Sequence, residues 1–287
     1  MTTEAPARHV GGPVLRPGGP SEALARYRAE LNFARTLRQP TPLSLGLLAA
    51  LVAIHLGAVG LDLTMQASGV ETGPAIFHGA KVNALVWQGQ WWRLMSATFL
   101  HGGWLHLAFN AYAVFFLAPI LERLYGARRL LLIYVVSGLC ASAASLMFNE
   151  GVSVGASGAI FGMLGAMTVF GFKFRDLLPT RLQRAFGVQL LPWVAINLFV
   201  GFFFESLRID NAAHVGGLIA GVVVALPMST ALEGRVWGWR RAALEVSFAL
   251  LFVAIAWGLV SMLHQVMLCG GGAGRFLACY PKELLGL

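Results

Sequence analysis

Charge is what this 287-residue chain has least of: Asp, Glu, Lys and Arg make up 12% of it, about half of the ~25% usual in soluble globular proteins. That shortage excludes a disordered chain, a coiled coil and an ordinary cytosolic enzyme. Cysteine is scarce too, with three residues, too few for a disulfide framework. The first 20 residues lack any apolar run, so no secretory signal peptide is expected there and the first apolar segment should act as its own insertion signal. HExxH zinc motifs are absent, and no pair of Asp residues lies within the apolar segments.

The chain does have long charge-free runs. Seven stretches of at least 20 residues contain no Asp, Glu, Lys or Arg: 39–61, 94–121, 130–149, 151–172, 185–204, 211–232 and 246–274. About 20 apolar residues cross a bilayer core, so the fold class predicted is an all-α polytopic membrane protein. A net charge of +8 would suggest nucleic acid in a soluble protein. Here the basic residues flank spans, so no nucleic-acid partner is expected. Cys140 falls mid-span and reads as a small core residue.

Basic residues orient the spans. With the N-terminus in the cytoplasm, 16 Lys and Arg fall on that side and five on the other. This predicts seven spans, an extracytoplasmic C-terminus and no soluble domain. Residues 1–42 form a cytoplasmic segment, first disordered and rich in Pro and Gly, then a helix over 21–38. That helix carries Leu24, Tyr27, Leu31 and Ala34 on one stripe beside Arg26, Arg28, Arg35 and Arg38. It suits either an anionic membrane surface or docking on the protein's own loops. Residues 43–230 hold six spans, 231–265 a cytoplasmic loop and the seventh span, and 266–287 an outer tail. That tail carries Cys269 and Cys279, whose pairing the sequence leaves open. The connection 63–93 is long, and Trp87, Trp91 and Trp92 at its end suit an ordered loop in the interfacial belt.

Polar residues inside spans are functional candidates by default. The second span, expected to start near residue 96, holds His101, His106 and Asn110, with His106 and Asn110 on one helix face. The fourth opens with Gly155–Ala156–Ser157–Gly158–Ala159–Ile160–Phe161–Gly162. The sixth opens with Asn211–Ala212–Ala213–His214, followed by Val215–Gly216–Gly217 and Gly221. Gly158/Gly162 and Gly217/Gly221 are GxxxG pairs, which by themselves mark close-packed helices. A lone Ser in a span bonds back to its own backbone, and a lone His such as His55 is usually satisfied locally. Topology gathers the rest, because spans two, four and six all run from outside to inside. Ser157, His214, His106 and Asn110 therefore share one depth below the outer surface. A hydroxyl, an imidazole base and two side-chain donors are the parts of acyl transfer.

At these residues the sequence resembles the rhomboid intramembrane serine proteases. The likeness rests on Trp92–Arg93, on His101, His106 and Asn110, and on Glu122, Arg123 and Gly126. It continues through Gly155–Ala156–Ser157–Gly158 and Ala213–His214–Val215–Gly216–Gly217 with Gly221. It covers about residues 43–230, a six-helix rhomboid core to which one C-terminal transmembrane helix is added. The resemblance implies a Ser157–His214 dyad without metal or cofactor. It implies an oxyanion hole from His106, Asn110 and the Ser157 backbone N–H, room for substrate backbone at Gly155, and structural roles for Arg93 and Glu122. Phe161 stands where many relatives have Tyr, keeping the ring that packs on the catalytic His and losing its hydroxyl. The partners implied are transmembrane protein substrates in the lipid bilayer, cut on the outer side of what reads as a bacterial inner membrane. The alternative is a non-catalytic rhomboid-like protein that binds transmembrane segments. A transporter would often show an internal repeat, and none is evident.

Overall fold

The computed structural model describes residues 20–67, 79–179, 188–204 and 209–233, with isolated residues between 182 and 186 and between 238 and 264. Its nine α-helices among the described residues are α1 (Pro20–Leu37), α2 (Pro42–Ala67), α3 (Asn83–Trp87), α4 (Arg93–Ser96) and α5 (Trp104–Tyr125). They continue with α6 (Ala127–Phe148), α7 (Ser157–Lys173), α8 (Leu191–Phe203) and α9 (Asn211–Ala225). Three long apolar segments (Glu30–Thr64, which contains most of α2, together with α5 and α6) can cross a membrane by length and composition, while α7, α8 and α9 are apolar but shorter. The chain is an all-α polytopic membrane protein. Its one extended pairing among the described residues is an isolated antiparallel bridge between Lys81 and Ser153. Of the segment 1–20 expected to be disordered, Pro20 is instead the first residue of α1 and the rest lies outside the described residues, as do the expected outer tail and its two cysteines. So does most of the expected seventh span, whose scattered described residues are helical.

Two boundaries differ from the hydropathy reading. The fourth charge-free stretch begins at residue 151, but α7 begins at Ser157. Gly155 takes φ +134°, which ends any helix and is a conformation side-chain-bearing residues rarely adopt. The chain thus descends as a loop before turning helical, and such backbone is tolerated at membrane depth where protein surrounds it. Likewise α5 starts at Trp104 rather than near 96. His101 therefore lies in the preceding loop, and His106 in the first turn of α5. The pair Gly102–Gly103 explains this, since glycine lowers helix stability by about 1 kcal/mol per residue.

The centre of the molecule is α9, packed most extensively on α7 and α6. The α7–α9 seam has almost no side-chain layer. A Cβ added at Gly217 would strike the Gly158 carbonyl, and one at Gly221 the Gly162 carbonyl. Toward the other end of these helices an apolar core gathers Leu121, Leu124, Tyr125, Ile133, Met163 and Phe170. Lys173 donates to the Leu226 and Met228 carbonyls, at 2.7 Å each, answering acceptors left free where α9 ends.

Buried charges tie the periphery on. Glu122 of α5 accepts from the Leu43 and Ser44 backbone N–H groups at 3.1 and 2.7 Å, and from the Ser44 hydroxyl at 2.5 Å. It thereby caps α2 from another helix. Arg93, fully buried, donates to Gln90 Oε1 at 2.6 Å and to the Ala80 carbonyl at 3.0 Å, folding the long connection on itself. At the end of that connection Trp87 and Trp91 meet edge to face at 5.6 Å, both rings exposed. Helix α1 docks on the protein itself. Phe33 is buried against Phe186, while Leu24, Tyr27 and Leu31 on the other side stay exposed. Cys140 is exposed, not a core residue, because α6 turns it outward while its carbonyl lies toward Gly216 of α9.

Candidate active site

Ser157 is the first residue of α7 and His214 the fourth of α9. The glycine seam brings their helices close enough for Ser157 Oγ and His214 Nε2 to stand 2.9 Å apart, a good hydrogen bond. Phe161, one turn below Ser157, lies flat on the His214 ring, with centroids 4.2 Å apart and 11° between planes. The stack leaves the imidazole edge free to face the hydroxyl. Among the described residues, His214 Nδ1 has no hydrogen-bond partner.

His106 reaches the same place from α5. A Cβ built on Gly155 would lie 2.8 Å from His106 Cε1 and Nε2, and 3.7 Å from Ser157 Oγ. The bare backbone of Gly155 thus lets the His106 ring and the Ser157 hydroxyl border one small space. Gly155 is itself pinned, its N–H donating to the Ala97 carbonyl at 2.9 Å. Asn110 is buried one turn below His106, and its amide donates to the His106 carbonyl at 3.0 Å. One amide hydrogen suffices for that bond, and the second is available to a ligand. The arrangement is a hydroxyl with a base in contact and the His106 ring beside it, with Asn110 buried one turn below His106.

The Rhomboid domain family model matches residues 88–231, just over half of the chain and all of the elements above from the end of α3 onward. The chain belongs to the rhomboid family. It is 38% identical over 203 residues to rhomboid protease GluP of Bacillus subtilis (strain 168), covering 71% of this chain and 39% of that protein. It is 40% identical over 154 residues to RHOMBOID-like protein 5 of Arabidopsis thaliana, covering 50% and 46%. It is 32% identical over 243 residues to RHOMBOID-like protein 2 of the same plant, covering 74% and 72%. This rhomboid chain therefore spans less than half of the length of the first two relatives.

Within this rhomboid fold, Ser157, His214, Phe161, His106 and Gly155 come together, and Gly158 and Gly217 form the seam beneath them. His101 stands apart from the pair, its ring 5.3 Å from that of His106. His55 departs from the sequence reading. It is buried on α2 with neither ring nitrogen hydrogen-bonded among the described residues, and instead meets Trp104 edge-on at 4.6 Å and His101 at 6.3 Å. His55, His101 and His106 thus form a row leading toward Ser157. Sequence reasoning also passed over Lys81, Ser145 and Asp210, which surround the loop above the site. A readable signal for Asp210 did exist, since Asp directly before an apolar helix is a preferred N-cap.

Proposed function

We propose that this protein is an intramembrane serine endopeptidase that hydrolyses peptide bonds in or near transmembrane segments of membrane proteins. The 2.9 Å contact between Ser157 Oγ and His214 Nε2 carries the reading, and the likeness to GluP, named a rhomboid protease, supports it. Ser157 attacks the scissile carbonyl as His214 Nε2 takes its proton, because a serine hydroxyl needs an adjacent base at neutral pH. The carbonyl oxygen becomes an oxyanion, held by the Ser157 backbone N–H, His106 and Asn110. His214 then passes the proton to the leaving amine, and water hydrolyses the acyl-enzyme by the same steps. Among the described residues His214 Nδ1 has no partner, which suits a dyad rather than a triad. Phe161 orients the ring.

The substrate class follows from where the site lies. A transmembrane helix satisfies its own backbone and must unwind locally to offer a carbonyl, so helix-weakening Gly or Pro near the cut lowers the barrier. The 16-to-5 basic asymmetry supports a site opening to the outer face of a bacterial inner membrane, with the N-terminus inside.

The test is covalent labelling of Ser157 by a fluorophosphonate, mapped by peptide mass spectrometry, beside cleavage of a single-pass model substrate. Wild type should label and cleave, while Ser157→Ala and His214→Ala should do neither. His106→Ala and Asn110→Ala should cleave detectably but about 10²–10³-fold more slowly, as for loss of one oxyanion donor. Wild-type labelling in folded His214→Ala would refute the dyad.

A further inference from the structure

Above the dyad, on the side where α7 and α9 begin, three chain segments meet around one buried lysine. Lys81 has no exposed surface, and lysine is almost never fully buried unless paired. Its ammonium donates to Asn83 Oδ1 at 2.9 Å, to the Asn149 carbonyl at 2.8 Å and to the Gly151 carbonyl at 2.7 Å. Its backbone N–H and carbonyl both pair with Ser153 at 3.0 Å. Lys81 therefore grips residues 149–153, the stretch that leads through Gly155 into Ser157.

Asp210 grips the other side. It is the N-cap of α9: its carboxylate accepts the Ala213 N–H at 3.0 Å and its carbonyl accepts the His214 N–H at 3.1 Å. The same carboxylate accepts the Ser145 hydroxyl from the end of α6 and hydrogen bonds from Ser153 and Asn149. Ser153 and Asn149 are thus shared between the lysine and the aspartate. The two charges also attract each other.

We propose that Lys81, Asp210 and Ser145 act as positioning residues, a polar bolt that holds the Ser157 segment and the His214 helix in register. Neither Lys81 nor Asp210 touches substrate. The inference rests on the dyad reading above. It explains why a buried lysine and a half-buried aspartate stand beside the glycine seam: glycines let the helices approach, but a smooth glycine face does not stop them sliding along each other. Asp210 has a second effect through the same geometry. His214 sits in the first turn of α9, where the positive helix end opposes a cation, and a carboxylate at the N-cap offsets that field during the moment His214 holds the Ser157 proton.

The experiment uses the full chain in detergent, with rates of fluorophosphonate labelling at Ser157, kcat and KM on a single-pass model substrate, and thermal melting. Asp210→Asn should label about tenfold more slowly, as expected for a small displacement of reacting groups, with kcat falling and KM unchanged. Lys81→Met/Asp210→Asn removes both charges and should recover most of the melting temperature lost by either single variant. Its labelling should stay slow, because the register is no longer held. A merely structural network would instead regain labelling together with melting, and that result overturns the proposal. Should Asp210→Asn fail to fold, Ser145→Ala, which removes one hydroxyl and no charge, carries the test. Labelling at least about threefold slower is expected of it, and a wild-type rate would overturn the bolt. Ser157→Ala and His214→Ala run alongside, so that labelling in either would show the dyad itself to be misassigned, independently of the bolt.

Discussion

Replacing Gly217 by Ala puts one methyl group into the seam that sets the distance between Ser157 and His214. The new Cβ would lie 2.8 Å from the Gly158 carbonyl carbon, and nearer still to its oxygen, where ordinary contact begins at 3.4 Å. No flexible side chain stands in the way to rotate aside, since the obstacle is backbone. The oxygen sets the larger demand, and bringing it out to ordinary contact requires the helices to separate by more than about 1 Å. Gly158 adjoins Ser157 and Gly217 lies one turn beyond His214, so most of that separation reaches the dyad. Their 2.9 Å hydrogen bond would stretch past about 3.5 Å, where it is no longer one. Displacements near 1 Å cost about 10²-fold in rate, so labelling by a fluorophosphonate should slow by about 10- to 100-fold. Overpacking of this kind destabilises by about 1–3 kcal/mol, which should appear as a lower melting temperature. Gly57→Ala is the control, because a Cβ there meets nothing within 4 Å and alanine favours the helix. A Gly217→Ala protein that labels at the wild-type rate with unchanged melting would refute the claim that backbone contact sets the dyad.

Phe161→Ala removes the stacked ring and should slow labelling by up to about tenfold, given ~0.5–1.5 kcal/mol for an aromatic pair, whereas Phe161→Tyr should stay near wild type; equal rates in all three would remove the ring from the argument. Burial works to raise the Asp210 carboxyl, but hydrogen bonds from Ser145, the Ala213 N–H, Ser153 and Asn149 hold it below its ordinary 3.8. A carboxyl depressed on folding stabilises the fold above its unfolded value and loses that contribution as pH falls through its folded one. The melting gap between wild type and Asp210→Asn should therefore be full at pH 6 and shrink below about pH 4, and a gap unchanged at pH 3 would count against it. Single cysteines introduced at residues 3 and 284 should react with an impermeant maleimide on intact cells only at 284; reaction at 3 would invert the topology.

How far the sequence could be read depended on how local each cause was. The apolar runs are local, and each of α2, α5 and α6 overlaps one of them over most of its length. The gathering of Ser157, His214 and His106 was legible because three spans of one direction place them at one depth, and the glycines announce a close approach. The start of α7 was not, because hydropathy cannot distinguish an apolar loop from an apolar helix. Residues 151–156 carry no charge, yet Gly155 turns the backbone there. The row of His55, His101 and His106 joins residues from α2, a loop and α5 that no spacing relates. Lys81 and Asp210 were hidden for the same reason. What gives each its place is another segment: the Asn149 and Gly151 carbonyls for Lys81 and the Ser145 hydroxyl for Asp210.

The Glu122 contact with α2 has a consequence for the order in which this protein is assembled. The N–H groups of Leu43 and Ser44 open the first span, and their acceptor lies 79 and 78 residues later in the chain. Synthesis delivers the donors well before the acceptor exists. The first span therefore enters the bilayer with its N-terminal end still bound to water or lipid headgroups. It docks only when the far end of α5 arrives at the same surface. Loss of the Glu122 carboxylate should then leave insertion intact and stall the step after it, a chain with its spans in place and its first helix adrift.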